Sequence, residues 1–206
     1  MTRAKYIQMV APLAIKARKE YPSLFPSLAI AQAALESGSG NSQLSKDYNN
    51  HFGIKANPAW KGKVVSMRTR EVYNAKDVLV VDGFRVYDSI EDSFADRNRF
   101  LARNRRYTTN GVFSATTPQA QAKALQKAGY ATDPDYSAKL IGLIKANNLE
   151  RYDVAPDLMP ILPVLPKLAE QQTQPQVAPI PIPTYTANEQ SLAMRIFMAI
   201  KRILSK

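Results

Sequence analysis

The chain has 206 residues, 45% of them hydrophobic, with no cysteine, one histidine and a net charge of +11. Without cysteine there is neither a disulfide framework nor a thiolate metal site, and His51 cannot by itself make a histidine-rich metal site or a Ser-His-Asp triad. Two carboxylates are therefore the natural catalytic pair if the chain is an enzyme, and the basic surface favours anionic partners such as envelope polymers, anionic lipid or nucleic acid.

Tyr6, Ile7, Val10, Leu13, Ala14 and Ala17 recur at helical spacing and predict an amphipathic helix over residues 3–20. Lys and Arg interrupt this stretch before an apolar run of about 7–15 residues forms, so it does not read as a secretory signal. No segment reaches the ~18–20 uninterrupted apolar residues of a membrane span. The expectation is a chain that is soluble when made. "SLFPSLAIAQAALE" predicts a second helix with Pro26 in its first turn and Ser23 or Ser27 as cap, ended by Gly38 and Gly40. Glu36 stands on its last turn, where the helix dipole disfavours negative charge. "NSQLSKDY" predicts a short turn of helix. "KVVSMRTREVY" and "VLVVDGFRVY" are rich in β-branched residues and predict an antiparallel hairpin across "NAKD". "SIEDSFADRNRFLAR", with Ser89 and Asp92 as a weak capping box, "TPQAQAKALQKAG" and "DPDYSAKLIGLIKANN" predict three more helices, with Asp133 and Pro134 starting the last.

Near Asp153 the composition changes. Eight of the 14 prolines fall between Pro156 and Pro183, which predicts an extended linker over 154–186. The segment 187–206 then reads as an amphipathic helix, with Asn188 as cap, Leu192, Ile196, Phe197, Ile200, Ile203 and Leu204 on its apolar side, and four basic residues beside them. Such a helix should dock on a virion protein, a membrane surface or itself. The basic residues of 1–153 are interleaved with acids and lack a nucleic-acid signature with aromatic interleaving, so nucleic acid is an unlikely partner.

"PSLAIAQAALESGSGNSQL", "NNHFGIK", "WKGKVVSMRTREV", "FRVYDSIEDSF", "RY" and "GYATDPDYSAKL" occur in that order, within a resemblance that spans roughly residues 4–153. Together they resemble glycoside hydrolase family 73, the peptidoglycan N-acetylglucosaminidases. The resemblance implies an α+β, mostly α, lysozyme-like domain over 1–153 with a small β-hairpin lobe, acting on peptidoglycan without metal or cofactor. It implies that Glu36 is the catalytic acid, a carboxyl made hard to ionise so that it can protonate the leaving oxygen. It points to Glu71 as a second carboxylate, against the plainer reading of a strand glutamate pairing with Arg68 or Arg70. It places Tyr130 near the acid, where its hydroxyl would orient the 2-acetamido group.

Trp60, Tyr107 and Tyr130 are candidate aromatics of the sugar groove, with core packing as the competing reading for each, and "FGIK" predicts a turn that builds the groove floor, with Phe52 packing in it. His51 stands where the family usually has an apolar residue, and a bland surface role is its simplest reading. Because the sequence starts at the first predicted helix, the expectation is a hydrolase without a preceding rod-capping domain. The resulting expectation is a phage virion-associated lysin acting at cell entry, located in the virion or host envelope. An endolysin, or a non-catalytic glycan-binding particle protein, is the alternative.

Overall fold

The computed structural model describes residues 1–73 and 76–154, without the side chains of 69–80; the expected linker and docking helix lie outside the described residues. The element order is α1 (Arg3–Arg18), α2 (Pro26–Glu36), α3 (Gln43–Tyr48), β1 (Val64–Tyr73), β2 (Lys76–Arg85), α4 (Ile90–Arg103), α5 (Arg105–Thr109), α6 (Pro118–Lys127), α7 (Tyr136–Ala146) and a final 3-10 turn (Leu149–Tyr152). This is the mostly helical architecture with a two-stranded antiparallel sheet that the resemblance implies.

The molecule is organised around α2. Every residue from Pro26 to Ala34 is buried, and α1, α6, α7 and the final turn pack against it. Its alanines let the neighbouring helices approach closely, while Leu28 and Ile30, both fully buried, fill the space between them. Each of these larger side chains contributes roughly 1.5–3 kcal/mol through burial.

Neither predicted serine caps α2. Phe25 occupies the N-cap without a side-chain bond, and Pro26 opens the helix. The cap is supplied from the far end of the domain instead. Asp153 accepts hydrogen bonds from Ser27 N at 2.8 Å and Ser27 Oγ at 2.6 Å. A carboxylate at a helix N-terminus meets both an orphan N–H and the favourable end of the dipole. Ser27 thus donates to the cap rather than forming it.

Ser89 does cap α4, accepting from Asp92 N and donating to its carboxylate. At the start of α7 the boundary differs from expectation. Asp133 is occupied by Lys139 and Asp135 N, and the helix begins at Tyr136.

The strands pair from Val64↔Arg85 to Tyr73↔Lys76, a tighter closure than the sequence pattern implied. The base of the hairpin is fixed to the preceding segment by Ala56 N to Gly83 O and Arg85 N to Ile54 O. Asn50 completes this joint. Its Nδ2 donates to Ile54 O and Arg85 O, and its Oδ1 accepts from Phe52 N and Ile54 N. One buried amide thus shapes the "NNHFGIK" turn, with Gly53 at φ +61° where the left-handed conformation suits glycine. Among the described residues no helix is long and apolar enough to cross a membrane.

Candidate active site

Glu36 is the last residue of α2, and the chain leaves the helix through three successive left-handed residues, Gly38, Ser39 and Gly40. Gly40 is required twice over. Its φ is +73°, and a Cβ there would lie 2.8 Å from the Tyr6 ring. Ser37 closes the turn, donating to Ala33 O at 2.5 Å and accepting from Gly40 N at 2.7 Å. This sharp exit leaves Glu36 at the rim of the core, partly exposed at the end of a helix that is buried from Pro26 to Ala34.

The surroundings of Glu36 push in opposite directions. Burial raises its carboxyl above the ordinary range, and a hydrogen bond from Tyr136 partly offsets the rise. Tyr136 Oη donates to Glu36 Oε1 at 2.7 Å, and Gln32 Nε2 donates to Tyr136 Oη at 2.9 Å. Tyr136 is buried, and Tyr130 stacks on it with ring centroids 5.7 Å apart at 12°. Both phenols are held far above their ordinary range by burial, so they remain protonated donors. Tyr130 donates to Phe52 O at 3.3 Å. A carboxyl whose pKa is raised by burial and whose orientation is held by the Tyr136 donor is equipped to give a proton to a leaving oxygen.

The structure separates the sequence candidates. Glu36 and Tyr130 are brought together. Tyr107 is fully buried, its ring 6.2 Å from that of Tyr130, so it supports the site from the core and has no face free for a sugar. Phe52 is also a core residue, packed edge-on against Phe94 at 4.8 Å. Its backbone carbonyl accepts the hydrogen bond from Tyr130 Oη, and its ring packs in the core and is not exposed to a groove. Trp60 is partly exposed. Its Nε1 donates to Lys63 O, its ring meets Tyr87, and the Arg85 guanidinium lies 4.6 Å from its centroid. It lines a cavity of about 380 Å3 with Lys63, Tyr87, Asp88, Asp92 and Arg99, whose walls do not include Glu36. Glu71 lies on β1 opposite Val78, and its side chain is outside the described residues.

His51 is buried, not on the surface. It shares a 2.8 Å hydrogen bond with Tyr6 Oη beneath the Ser37–Gly40 turn. Its Nε2 has no hydrogen-bond partner among the described residues, and burial pushes its pKa down to about 4. Among the described residues no group of three or more His, Asp or Glu side chains is placed to hold a metal.

Three participants escaped the sequence reading. Tyr136 lay inside the quoted "GYATDPDYSAKL" but carried no separate signal. Gln32 stands four residues before Glu36, hence on the same helix face, and that spacing was a usable clue. Arg97 sits in the charged run of α4 and is nonetheless wholly buried. Nothing in "EDSFADRNRF" marks it.

Residues 11–149 match the Glucosaminidase family, described as mannosyl-glycoprotein endo-beta-N-acetylglucosaminidase. The chain belongs to this family. It is 43% identical over 122 residues to peptidoglycan hydrolase FlgJ of Salmonella typhimurium, covering 57% of this chain and 38% of that protein. It is 38% identical over 133 residues to exo-glucosaminidase LytG of Bacillus subtilis, covering 63% and 46%. It therefore spans less than half the length of either relative. The catalytic domain of the autolysin Auto from Listeria monocytogenes superposes with a TM-score of 0.64 at 35% identity, over 73% of this chain and 86% of that one. The glucosaminidase domain thus has the lysozyme-like glycoside hydrolase fold of its structural neighbours.

Proposed function

We propose that this glucosaminidase domain hydrolyses the glycan strand of peptidoglycan at N-acetylglucosamine, with Glu36 as general acid. The observation that carries the reading is the partly buried Glu36 at the end of α2, its pKa raised and its Oε1 held by Tyr136. As the glycosidic bond breaks, Glu36 passes its proton to the departing oxygen and becomes a carboxylate, stabilised by the Tyr136 donor. Water completes the reaction at the anomeric carbon.

Glu71, on the hairpin, is the proposed second carboxylate that positions or activates this water. A separation of about 6.5–9.5 Å between the two carboxyls suits an inverting course and about 5–5.5 Å a retaining one, while the substrate's acetamido group offers an assisted route that needs no carboxylate nucleophile. Tyr130 is the residue proposed to orient that acetamido group, and Trp60 the one proposed to contact a sugar further along the strand. The relatives named peptidoglycan hydrolase and exo-glucosaminidase support the substrate class. The net charge of +11 favours an anionic envelope.

The test is digestion of purified peptidoglycan followed by reduction and mass spectrometry of the fragments. Reduced N-acetylglucosamine ends support the assignment; reduced N-acetylmuramic ends would move the cleaved bond; intact glycan would overturn the enzymatic reading.

A finer reading places the enzyme on a bacteriophage particle, tethered through 187–206. It rests on the proline-rich stretch and the apolar pattern that follows it. Purified particles grown with and without residues 154–206 test it, since unchanged hydrolase content removes the tether. Release as an endolysin at host lysis is the competing role.

A further inference from the structure

Arg97 is a fully buried cation whose hydrogen bonds go to neutral amides. Its Nε and Nη2 donate to Gln32 Oε1 at 3.1 and 2.6 Å, and its Nη1 donates to Asn98 Oδ1 at 2.9 Å. Burial pushes its pKa down to about 10, so it is charged at neutral pH. Among the described residues it has no ion pair, a costly state for a buried charge, and it lies at the head of a chain of hydrogen bonds that ends on Glu36.

The direction of each bond follows from the groups themselves. A guanidinium only donates, so Gln32 must turn its carbonyl oxygen towards Arg97 and its NH2 towards Tyr136. The Tyr136 oxygen then receives the Gln32 proton, and its own hydrogen is left to point at Glu36 Oε1. With Oε1 accepting, the proton of neutral Glu36 sits on Oε2. We propose that Arg97, acting through Gln32 and Tyr136, is a positioning residue that fixes the transferable proton of Glu36 on Oε2. The same alignment favours the carboxylate left after transfer, because successive dipoles in the chain point their positive ends at it. This inference rests on Glu36 being the general acid.

The groups facing Glu36 among the described residues are Tyr136 from α7 and Tyr130 from the turn before it; the side chain of Glu71 lies outside them. Both tyrosines stay neutral through the working range, so a change in the acid's titration in Tyr136→Phe, which adds no charge, reports on the hydrogen-bond chain, whereas in Gln32→Glu the added carboxylate pushes the same way.

The test compares Gln32→Glu and Tyr136→Phe with the wild type. Gln32→Glu is isosteric and keeps both acceptor contacts to Arg97, but it presents an acceptor to Tyr136 and draws its hydrogen away from Glu36. Tyr136→Phe removes the donor without changing charge. In both variants the alkaline limb of kcat/KM is expected to move up by about one pH unit. kcat is expected to fall about tenfold, with KM within about twofold. Carbon-13 NMR titration of the Glu36 carboxyl reads the same shift independently of turnover, and thermal melting confirms folding. Folded variants whose Glu36 titration and pH profile superpose on the wild type, while Glu36→Gln is inactive, overturn the role of the chain. An active Glu36→Gln overturns the reading of the acid itself, and this inference with it.

Discussion

Tyr136 Oη and Glu36 Oε1 are 2.7 Å apart, although 100 residues separate them in sequence. The contact joins the last turn of α2 to the first turn of α7, so the orientation of the Glu36 carboxyl depends on how those helices pack. Burial and this hydrogen bond act on the Glu36 carboxyl in opposite senses, with burial dominant.

The sign of that balance has a consequence for stability. A carboxyl whose pKa is raised on folding binds its proton more tightly in the native state. Its contribution is complete below the unfolded value and is lost as pH rises through the folded value. Glu36→Gln removes the ionisation. At neutral pH the variant is expected to melt at or slightly above the wild-type temperature while losing activity, and a Tm several degrees lower contradicts this.

His51 gives a pH dependence of the opposite kind. Its folded pKa of about 4 lies below the ordinary 6.5, so the native state resists protonation. Its stability contribution is full above about pH 6.5 and drains away as pH falls towards 4, reaching roughly 3 kcal/mol in the limit. His51→Leu should flatten the wild-type decline over that window. Equal slopes of unfolding free energy against pH in urea melts of both proteins contradict it.

Asp153 closes the domain by capping a helix that begins 127 residues earlier. Asp153→Ala leaves Ser27 N without its acceptor and should cost about 1–2 kcal/mol. The check is chemical denaturation, with an unchanged m-value expected. An unaltered midpoint contradicts the cap.

The aromatic candidates part company in kinetics. Trp60, partly exposed, is proposed to meet substrate, so Trp60→Ala should raise KM several-fold more than it lowers kcat. Tyr107 is a core residue whose hydroxyl receives a hydrogen bond from Arg106 Nη2 at 2.7 Å. Tyr107→Phe should leave KM near wild type and appear mainly as a stability loss of about 1 kcal/mol. A large KM effect from Tyr107→Phe returns that ring to the groove.

Much of this architecture is legible in local sequence because it has local causes. The 3.6-residue period of α1, the Ser89–Asp92 cap and the β-branched strands each act within a few residues. The proposed acid, Glu36, is legible through the "AALESGSG" setting, where glycine is needed for a left-handed exit. What the sequence does not display is long-range polar pairing. Asp153 as the cap of α2, Asn50 as the joint of the hairpin, and Arg97 as a buried cation depend on partners up to 126 residues away. Residue type also misleads at two positions. His51 and Tyr107 carry polar atoms that resemble surface or groove chemistry, but each ring is enclosed by helices whose approach no local pattern announces.

The most direct measurement is digestion of purified peptidoglycan by the wild type and by Glu36→Gln, with mass spectrometry of the reduced fragments. The account predicts reduced N-acetylglucosamine ends from the wild type and a loss of at least about 100-fold in the folded variant. Equal product from both proteins would contradict Glu36 as the acid.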